Sequence, residues 1–345
     1  MNIIVLCGGL SAERDVSITS GTLAAAALRR LGHKAVLVDL FFGYPQHYDD
    51  PSEIFNAVFD DGIAAVSDTA PDLEAVWASR RLESSSRMGD NIIEVCHAAD
   101  IVFMALHGED GEDGKIQATF DMAGIKYTGT GHLGSALTMN KAIAKQLFLQ
   151  NRVLTPGGIT VHKNDAVYQN VGFPCVVKPR SGGSSIGTSV VTSLEEYLPA
   201  LQLAFSFEDN VIVEQYIKGR ECDVGVIAGK ALPVIEICPK SGFYDYKNKY
   251  QSGMTDEYCP ADLPPEVTEK LQRAAERVFE VLMFEVYGRM DFIVDENGDV
   301  WCLEGNTLPG LTPTSLLPQE AQAAGMSYDT LCETILAESF KKYEV

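Results

Sequence analysis

Four polar residues near the C-terminus have the spacing of a metal site on a β-hairpin. Asn-Gly at 297–298 is a strong signal for a two-residue turn. With this turn, Asp291 lies opposite Glu304 and Arg289 lies opposite Asn306, all on one face. Two opposed carboxylates repel each other and call for a cation or a proton. With the amide oxygen of Asn306, they form an oxygen-only set that suits Mg²⁺ shared with substrate phosphates.

The same pattern predicts which face of this hairpin is buried. Its strands, at 288–294 and 299–304, carry their apolar side chains on the opposite face, which we interpret as core. The alternative to a metal site is a solvated edge on which Arg289 neutralises the two carboxylates. The expected core residues are Met290, Phe292, Val294, Trp301 and Leu303.

A Gly/Ser-rich loop directly follows a strand that ends in a lysine. Lys178 closes the strand, and the loop at 181–187 consists of glycines and serines except for Ile186. Backbone N–H groups in such a loop can surround a phosphate. The lysine precedes the glycines, so the order is not that of a Walker A motif. The segment predicts a flexible phosphate-binding loop, and the alternative is an ordinary hairpin loop.

Three further segments carry polar groups beside predicted strands. His107 follows a buried strand, at the edge where open α/β sheets bind ligands, so it is either a substrate contact or a structural loop histidine. The residues 307–315 include Gly310, which lets the backbone approach an anion closely. The residues 244–250 combine tyrosines with lysines between predicted strands, which indicates either a mobile loop or an ordinary surface loop.

The segment 129–134 matches the glycine pattern of a dinucleotide-binding fingerprint. That fingerprint also requires an acidic residue about 20 positions later. No Asp or Glu occurs between Asp121 and Asp165. We therefore interpret these glycines as a tight turn between domains rather than a nicotinamide site.

These groups need strands and helices to position them. Apolar runs at 3–7, 35–40 and 101–106 alternate with helical stretches, as in an open parallel α/β sheet. A helix is expected at 135–150, and after residue 210 the chain is mostly strands. The predicted class is thus α/β followed by α+β. The expected domains are 1–130, 131–210 and 211–345.

Composition excludes several classes of partner. The chain has 345 residues, with 27 Lys and Arg against 48 Asp and Glu, and its net charge is −21. This balance argues against binding to long nucleic acid and to an anionic membrane. The eight cysteines include no C-x-x-C pair, which excludes the usual zinc spacings, and their scattered positions suggest a reducing compartment. Without a signal peptide or an apolar run of membrane-spanning length, we expect a cytoplasmic protein.

Taken together, these residues resemble the ATP-grasp superfamily and, more closely, the D-alanine–D-alanine ligases. The resemblance implies an N-terminal parallel-sheet domain, a small central α+β domain with the phosphate loop, and a C-terminal mixed-sheet domain. ATP would lie between the last two. The matching segments, in the family's order, are 8–14, 106–108, 111–114, 139–141, 178–179, 183–185, Glu214, Gly219, Glu221, 244–250, 289–291, 304–307 and 309–310.

The resemblance also implies a role for each matching residue. The ATP-binding residues would be Lys141, Lys178, Ser185, Glu214, Gln215, Tyr216, Ile217, Glu221 and Lys249. The metal ligands would be Asp291, Glu304 and Asn306, holding two Mg²⁺ ions with Mn²⁺ as a substitute. The substrate-binding residues would be Glu13, His107, Arg289, Ser315 and Leu316. The catalytic residues would be Glu13, Ser184, Tyr250, Arg289 and Gly310.

The implied reaction joins two D-alanines through an acyl phosphate, for a peptidoglycan precursor. The chain departs from relatives at Gln215, where lysine is common, at Gly182 in the phosphate loop, and in a longer segment at 43–90. Ligation of D-alanine to D-serine or D-lactate is the alternative, although Tyr250 favours an amine as the second nucleophile. A nucleotide-binding regulator without catalysis is less compatible with the intact cations and carboxylates. Family members usually form homodimers.

Overall fold

The computed structural model describes residues 1–56, 71–80, 85–166, 168–240 and 254–344. Within these ranges the first sheet has three parallel strands, as the buried apolar runs predict. In spatial order they are Lys34–Asp39, Asn2–Cys7 and Ile101–Met104. The helical segments of this part are Arg14–Arg30, the 3₁₀ turn Pro51–Asn56, Leu73–Ala78, Ile92–His97, Glu109–Glu112 and Lys115–Ala123.

The central sheet has four antiparallel strands. The helix Leu194–Phe205 covers one face of this sheet, where Tyr197 and Leu201 join its buried core. The chain passes to the last sheet between Gln215 and Gly219, slightly later than the expected change near residue 210. In spatial order the strands are Gly158–His162, Asn210–Gln215, Cys175–Pro179 and Ser189–Val191.

The last sheet has six strands in the described part of the chain and is antiparallel. The helix Pro265–Val281 packs against it through Leu271, Ala275 and Val278. Two helices follow the sheet, at Leu316–Ala323 and Tyr328–Lys341. In spatial order the strands are Thr255–Tyr258, Ile235–Pro239, Gly219–Ile227, Tyr287–Asp295 and Val300–Asn306, with the short strand Lys230–Ala231 beside Gly219–Ile227.

The two ends of the chain share one hydrophobic core. Side chains of the C-terminal helices, among them Leu317, Leu331 and Ile335, are fully buried in the same cluster as the first sheet. The burial of apolar side chains is the main source of stability for a contact of this kind. The first sheet is therefore held firmly against the part of the chain that follows the C-terminal hairpin.

The single helix expected at 135–150 is in fact two helices, His132–Met139 and Lys141–Gln150. Asn140 breaks them, because its backbone is extended and its side chain accepts a hydrogen bond from the Ile143 N–H, 3.2 Å away. This cap begins a new helix directly at Lys141. The first residue of this second helix, Lys141, is therefore one of the expected ATP-binding residues.

The C-terminal hairpin has the expected register at the polar residues. Arg289 pairs with Asn306 and Asp291 pairs with Glu304, which confirms the prediction. The turn, however, is longer than the predicted two residues, because Asp295 N–H bonds to the Asp299 carbonyl across 296–298. A β-bulge between Asp291 and Phe292 offsets this shift.

The longer turn and the bulge also change the core. Cys302 and Val300, which now face Phe292 and Val294, are buried there. The prediction that Trp301 and Leu303 belong to this core was wrong. Leu303 instead lines the larger of the two cavities described below.

At least two glycines of the segment 129–134 are required by packing or by the backbone conformation. A side chain at Gly134 would come within 2.5 Å of the Met283 carbonyl, and Gly129 has a φ of +85°. This geometry agrees with our interpretation of the segment. Among the described residues, no helix combines the length and apolar composition that a membrane crossing needs.

Candidate active site

The Gly/Ser loop at 181–187 lies between two neighbouring cavities. The larger has a volume of about 450 Å³, within the range of pockets for nucleotide-sized ligands. The smaller is about 90 Å³, too small for a nucleotide. Ser184 lines the smaller cavity and Ser185 lines the larger one. Both serines have a positive φ, 54° and 56°, a conformation that is often found at functional sites.

The larger cavity brings together the expected ATP-binding residues that the structure describes. It lies between the central and the last sheet, with Lys178 and Glu214 from the first of these and Glu221 from the second. Lys249, expected at the terminal phosphates, lies outside the described residues. The expected residues that line this cavity are Lys141, Lys178, Ser185, Glu214, Gln215, Tyr216, Ile217 and Glu221.

The lysines of this cavity contact carboxylates. Lys178 Nζ lies 2.6 Å from Glu214 Oε1, and Lys141 Nζ lies 3.2 Å from Glu304 Oε2. Burial works against the charged form of Lys178, but the negative charges of Glu214 and Glu304 offset it and raise its pKa. Both cations line the nucleotide-sized cavity and lie within reach of a ligand bound there.

The carboxylates of the hairpin lie where the two cavities meet. Arg289 Nε donates to Asp291 Oδ1 at 2.9 Å and also lies 2.9 Å from Asp223 Oδ2. Asn306 Nδ2 donates to Asp291 Oδ1 at 2.9 Å. The cations Arg289 and Lys141 thus neutralise the two carboxylates in this structure. Neutralisation by Arg289 is what the alternative to a metal site predicted.

The same residues also fit a magnesium ion. Asp291 and Glu304 face each other on adjacent strands, and Asp291 is buried while Glu304 lines the nucleotide-sized cavity. The donors are two carboxylates and the amide oxygen of Asn306, all hard oxygen ligands that suit Mg²⁺. Within the described ranges, no group of three or more His, Cys, Asp or Glu is arranged to hold a metal. An ion here would thus rely on Asn306 and on phosphate oxygens.

The smaller cavity gathers the expected substrate and catalytic residues from five segments of the chain. Glu13 precedes the first helix, and its Oε1 accepts a 2.5 Å hydrogen bond from Ser184 Oγ. This contact ties the phosphate loop to the first sheet. Tyr250 lies outside the described residues. The expected residues that line this cavity are Glu13, His107, Ser184, Arg289, Gly310, Ser315 and Leu316.

His107 lines this cavity, but both of its ring nitrogens contact protein groups. Nδ1 lies 2.8 Å from the Leu308 carbonyl, and Nε2 lies 3.1 Å from Ser20 Oγ, which also accepts from the Leu311 N–H. Burial lowers the pKa of His107, so the ring is neutral. Its clearest role in the structure is to support the loop that contains Gly310.

Three residues of the site, Ser20, Asp223 and Lys145, could not be found from sequence motifs, and a fourth, Glu112, lies in a matching segment but was given no role. Ser20 sits in the middle of a helix, and Asp223 looks like an ordinary strand residue. Glu112 accepts hydrogen bonds from the N–H groups of Gly108 and Leu308, and burial raises its pKa to about 7. Lys145 contacts Glu214 from the helix that begins at Lys141. The i, i+4 spacing of the two lysines is the one signal that could have pointed to Lys145.

Two family models cover most of the chain. The model for the N-terminus of D-ala D-ala ligases matches residues 2–130. The model for the C-terminus of D-ala D-ala ligases matches residues 148–337.

Individual proteins agree with this assignment. The D-alanine–D-alanine ligase of Pediococcus pentosaceus is 43% identical, and the alignment covers 100% of this chain and 99% of that protein. The structure of D-alanine–D-alanine ligase from Bacillus anthracis complexed with ATP has a TM-score of 0.76 at 30% identity and covers 99% of this chain and 97% of its own. The VanG D-Ala:D-Ser ligase from Enterococcus faecalis has a TM-score of 0.74 at 25% identity, with 98% of each chain covered. The predicted ATP-grasp fold is confirmed, and the chain belongs to the D-alanine–D-alanine ligase family.

Proposed function

We propose that this member of the D-alanine–D-alanine ligase family joins two D-alanines to D-alanyl-D-alanine and converts ATP to ADP and phosphate. The observation that carries the proposal is the arrangement of the two cavities. A nucleotide-sized cavity and a small cavity meet at the loop 181–187, where Lys141 lines both cavities and Arg289 lines the small one. A ligand at the end of the first cavity would thus touch a ligand in the second.

In the first step, a carboxylate oxygen of the first D-alanine attacks the γ-phosphorus of ATP, and ADP leaves. Glu13 would bind the substrate ammonium, since its carboxylate lines the small cavity beside Ser184. Lys141 and Lys178 would stabilise the charge that moves between the phosphates. The enzyme supplies no covalent nucleophile, so positioning and charge stabilisation carry the step.

In the second step, the neutral amine of the second D-alanine attacks the acyl carbon. The carbon–nitrogen bond forms, the carbon–oxygen bond to phosphate breaks, and phosphate and one proton of the amine are released. Arg289 and the Gly310 N–H would stabilise the tetrahedral oxyanion, and both residues line the small cavity. The carboxylate of the second D-alanine would bind at Ser315 and Leu316, where the helix Leu316–Ala323 begins. The N–H groups and the dipole at a helix N-terminus favour an anion there.

Asp291, Glu304 and Asn306 would hold Mg²⁺, with Mn²⁺ as a substitute. When bound, the metal would neutralise phosphate charge that the lysines leave uncompensated. The protein's own contribution is to place two carboxylates opposite each other at the end of the nucleotide-sized cavity.

D-alanine is favoured over D-serine and D-lactate as the second substrate. In the comparison of structures, the D-alanine–D-alanine ligase is 30% identical to this chain and the D-Ala:D-Ser ligase 25%. Tyr250, on which the expected preference for an amine rests, lies outside the described residues. The preference for D-alanine as the second substrate therefore stays a proposal for this chain, and analysis of the products tests it.

We further propose a cytoplasmic homodimer that supplies peptidoglycan synthesis. All eight cysteines are free thiols in the structure, which fits a reducing compartment. The division into domains at 1–130, 131–210 and 211–345 also stays a proposal. The three sheets, which follow one another along the chain, support this order of domains.

The test is release of phosphate from ATP and Mg²⁺ by the purified protein. Release is expected when D-alanine is present and not when it is absent, because the first D-alanine is the phosphate acceptor. L-alanine is the matched control, since it has the same chemical groups with the opposite configuration at its α-carbon. A folded protein that releases no phosphate with D-alanine would contradict the proposal.

A further inference from the structure

A buried carboxylate in the nucleotide-sized cavity lies between two lysines. Glu214 is 2% exposed, and its oxygens lie 2.6 Å from Lys178 Nζ and 2.6 Å from Lys145 Nζ. Lys145 also donates to Thr155 Oγ1 at 2.8 Å. Lys178 and Glu214 line the cavity, whereas Lys145 contacts Glu214 from the helix Lys141–Gln150.

The local structure places the three charges side by side. Glu214 and Lys178 lie on neighbouring antiparallel strands, where Glu214 pairs with Val176, two residues before Lys178 and on the same face. Lys145 is one turn after Lys141, so both lysines point from the same side of their helix. The cap at Asn140 therefore sets the position of Lys145 as well as that of Lys141.

The charges in this group depend on one another. Burial works against the charged form of Glu214, but the ammonium groups of Lys178 and Lys145 offset it and lower its pKa. Burial lowers the pKa of Lys145, and the charge of Glu214 opposes that shift. The two cations thus favour the charged form of the Glu214 carboxylate against the effect of burial.

We propose that Lys145 is a positioning residue for nucleotide binding, which keeps Glu214 ionised and oriented when Lys178 turns its ammonium group towards a phosphate. The inference rests on the proposed function, because it takes Lys178 as a phosphate ligand. A carboxylate that is buried and loses its one cation is strongly destabilised. With two lysines, Glu214 retains a partner while Lys178 binds the nucleotide, and the hydrogen bond to Thr155 fixes Lys145 in place.

The test measures binding of ADP in the absence of D-alanine, by calorimetry, to the full-length protein. Lys145→Met keeps the length of the side chain and removes the charge. Its Kd for ADP is expected to rise about 10- to 100-fold, as expected when a buried pair loses one charge. Lys163→Met is the control, because Lys163 forms an exposed ion pair with Asp209 elsewhere on the central sheet. Its Kd is expected to match the wild type.

A double-mutant cycle separates positioning from a general loss of structure. In a Glu214→Gln background, Lys145→Met is expected to have little further effect on the Kd, because the carboxylate that Lys145 supports is gone. The KM for ATP should rise in Lys145→Met while the KM for D-alanine stays near that of the wild type. If Lys145→Met does not fold, Lys145→Gln carries the same test, since it also removes the charge.

The outcomes distinguish the inference from the proposed function. A wild-type protein that binds no ADP would overturn the proposed function. Wild-type affinity in a folded Lys145→Met or Lys145→Gln variant would overturn the inference alone. So would an equal loss of affinity with and without the Glu214 carboxylate, because Lys145 would then act on the nucleotide by another route.

Discussion

Each described cation of the proposed reaction centre contacts a carboxylate. Lys141 contacts Glu304, Lys178 contacts Glu214, and Arg289 contacts Asp291. The chain as a whole carries a net charge of −21, which would repel ATP at long range. A few local cations therefore have to attract the nucleotide, and the acidic partners hold these cations in position until phosphates or a metal arrive.

Glu304→Gln tests the metal assignment at the residue scale. The substitution keeps the shape of the side chain but removes a charged oxygen from the Asp291–Glu304 pair. Turnover is expected to fall at least about 100-fold, because the phosphates lose metal-mediated charge stabilisation. Steady-state phosphate release measures the effect. Glu296→Gln, at an exposed position in the turn of the same hairpin, is the control. Wild-type turnover in Glu304→Gln would mean that the assignment is wrong.

Ser20→Ala tests whether His107 supports the Gly310 loop. Ser20 Oγ connects His107 Nε2 with the Leu311 N–H, and the site is fully buried. Its loss should lower the free energy of unfolding by about 1–3 kcal/mol, the cost of a buried unsatisfied group. The kcat is expected to fall while the KM for ATP changes little, because the Gly310 loop lines the small cavity and not the nucleotide-sized one.

Thr22→Ala is the matched control for this experiment. Thr22 is in the same helix, and its hydroxyl donates to the Ile18 carbonyl of that helix. It is expected to leave kcat near the wild-type value. An equal loss of kcat in both variants would show that the helix as a whole, and not the link to His107, is responsible.

At the scale of elements, the C-terminal hairpin shows what the sequence can predict. Alternation and the turn signal were sufficient to pair Asp291 with Glu304, which is the feature that suggested the metal site. The three-residue turn and the bulge were missed, and their effects on register cancel at the polar residues. A bulge leaves no mark on apolar alternation until the partner strand is known. Hence the face of Trp301 and Leu303 was predicted wrongly.

Tertiary contacts account for most of what the sequence could not provide. Local sequence patterns predict the glycine loop, the buried strands and the lysines of the motifs. In the structure, this loop and Lys141 and Lys178 line the two cavities. By contrast, Ser20 and Lys145 act through residues that are far away in sequence, Leu311 and Glu214. Neither residue type is unusual in a helix, so only the fold shows their partners.

The helix Leu316–Ala323 provides a prediction about pH. Its Glu320 is fully buried, accepts a hydrogen bond from the Gly225 N–H at 2.8 Å, and has a pKa raised to about 8. Burial is the main cause. The Asp291 charge adds to the shift, while Arg289 and the hydrogen bond oppose it. The folded state therefore holds a proton that the unfolded chain releases near pH 4.5, so this group makes stability fall as pH rises from there to about 8.

Glu320→Gln should remove this part of the pH dependence. The amide retains an oxygen for the Gly225 N–H and cannot ionise. Between pH 5 and 9, the free energy of unfolding should fall by less in the variant than in the wild type, with a difference of about 4 kcal/mol. Urea unfolding at several pH values measures it. If the free energy of unfolding changed with pH in the same way in both proteins, Glu320 would not be protonated in the folded state.

At the scale of the whole molecule, the site depends on all three sheets being held together. The first sheet contributes Glu13 and His107, the central sheet contributes Lys178 and the phosphate loop, and the last sheet contributes Arg289. The C-terminal helices bury their apolar side chains in the core of the first sheet, which connects the two ends of the chain across the site. A catalyst built this way brings two small substrates and a nucleotide together without a covalent intermediate on the enzyme.

The most direct measurement of the central claim is product identification by mass spectrometry. The purified protein is incubated with ATP, Mg²⁺ and an equal mixture of D-alanine, D-serine and D-lactate. The account predicts D-alanyl-D-alanine as the main product, formed together with one ADP for each dipeptide. A main product of D-alanyl-D-serine or D-alanyl-D-lactate, or ADP formed without any ligated product, would contradict it.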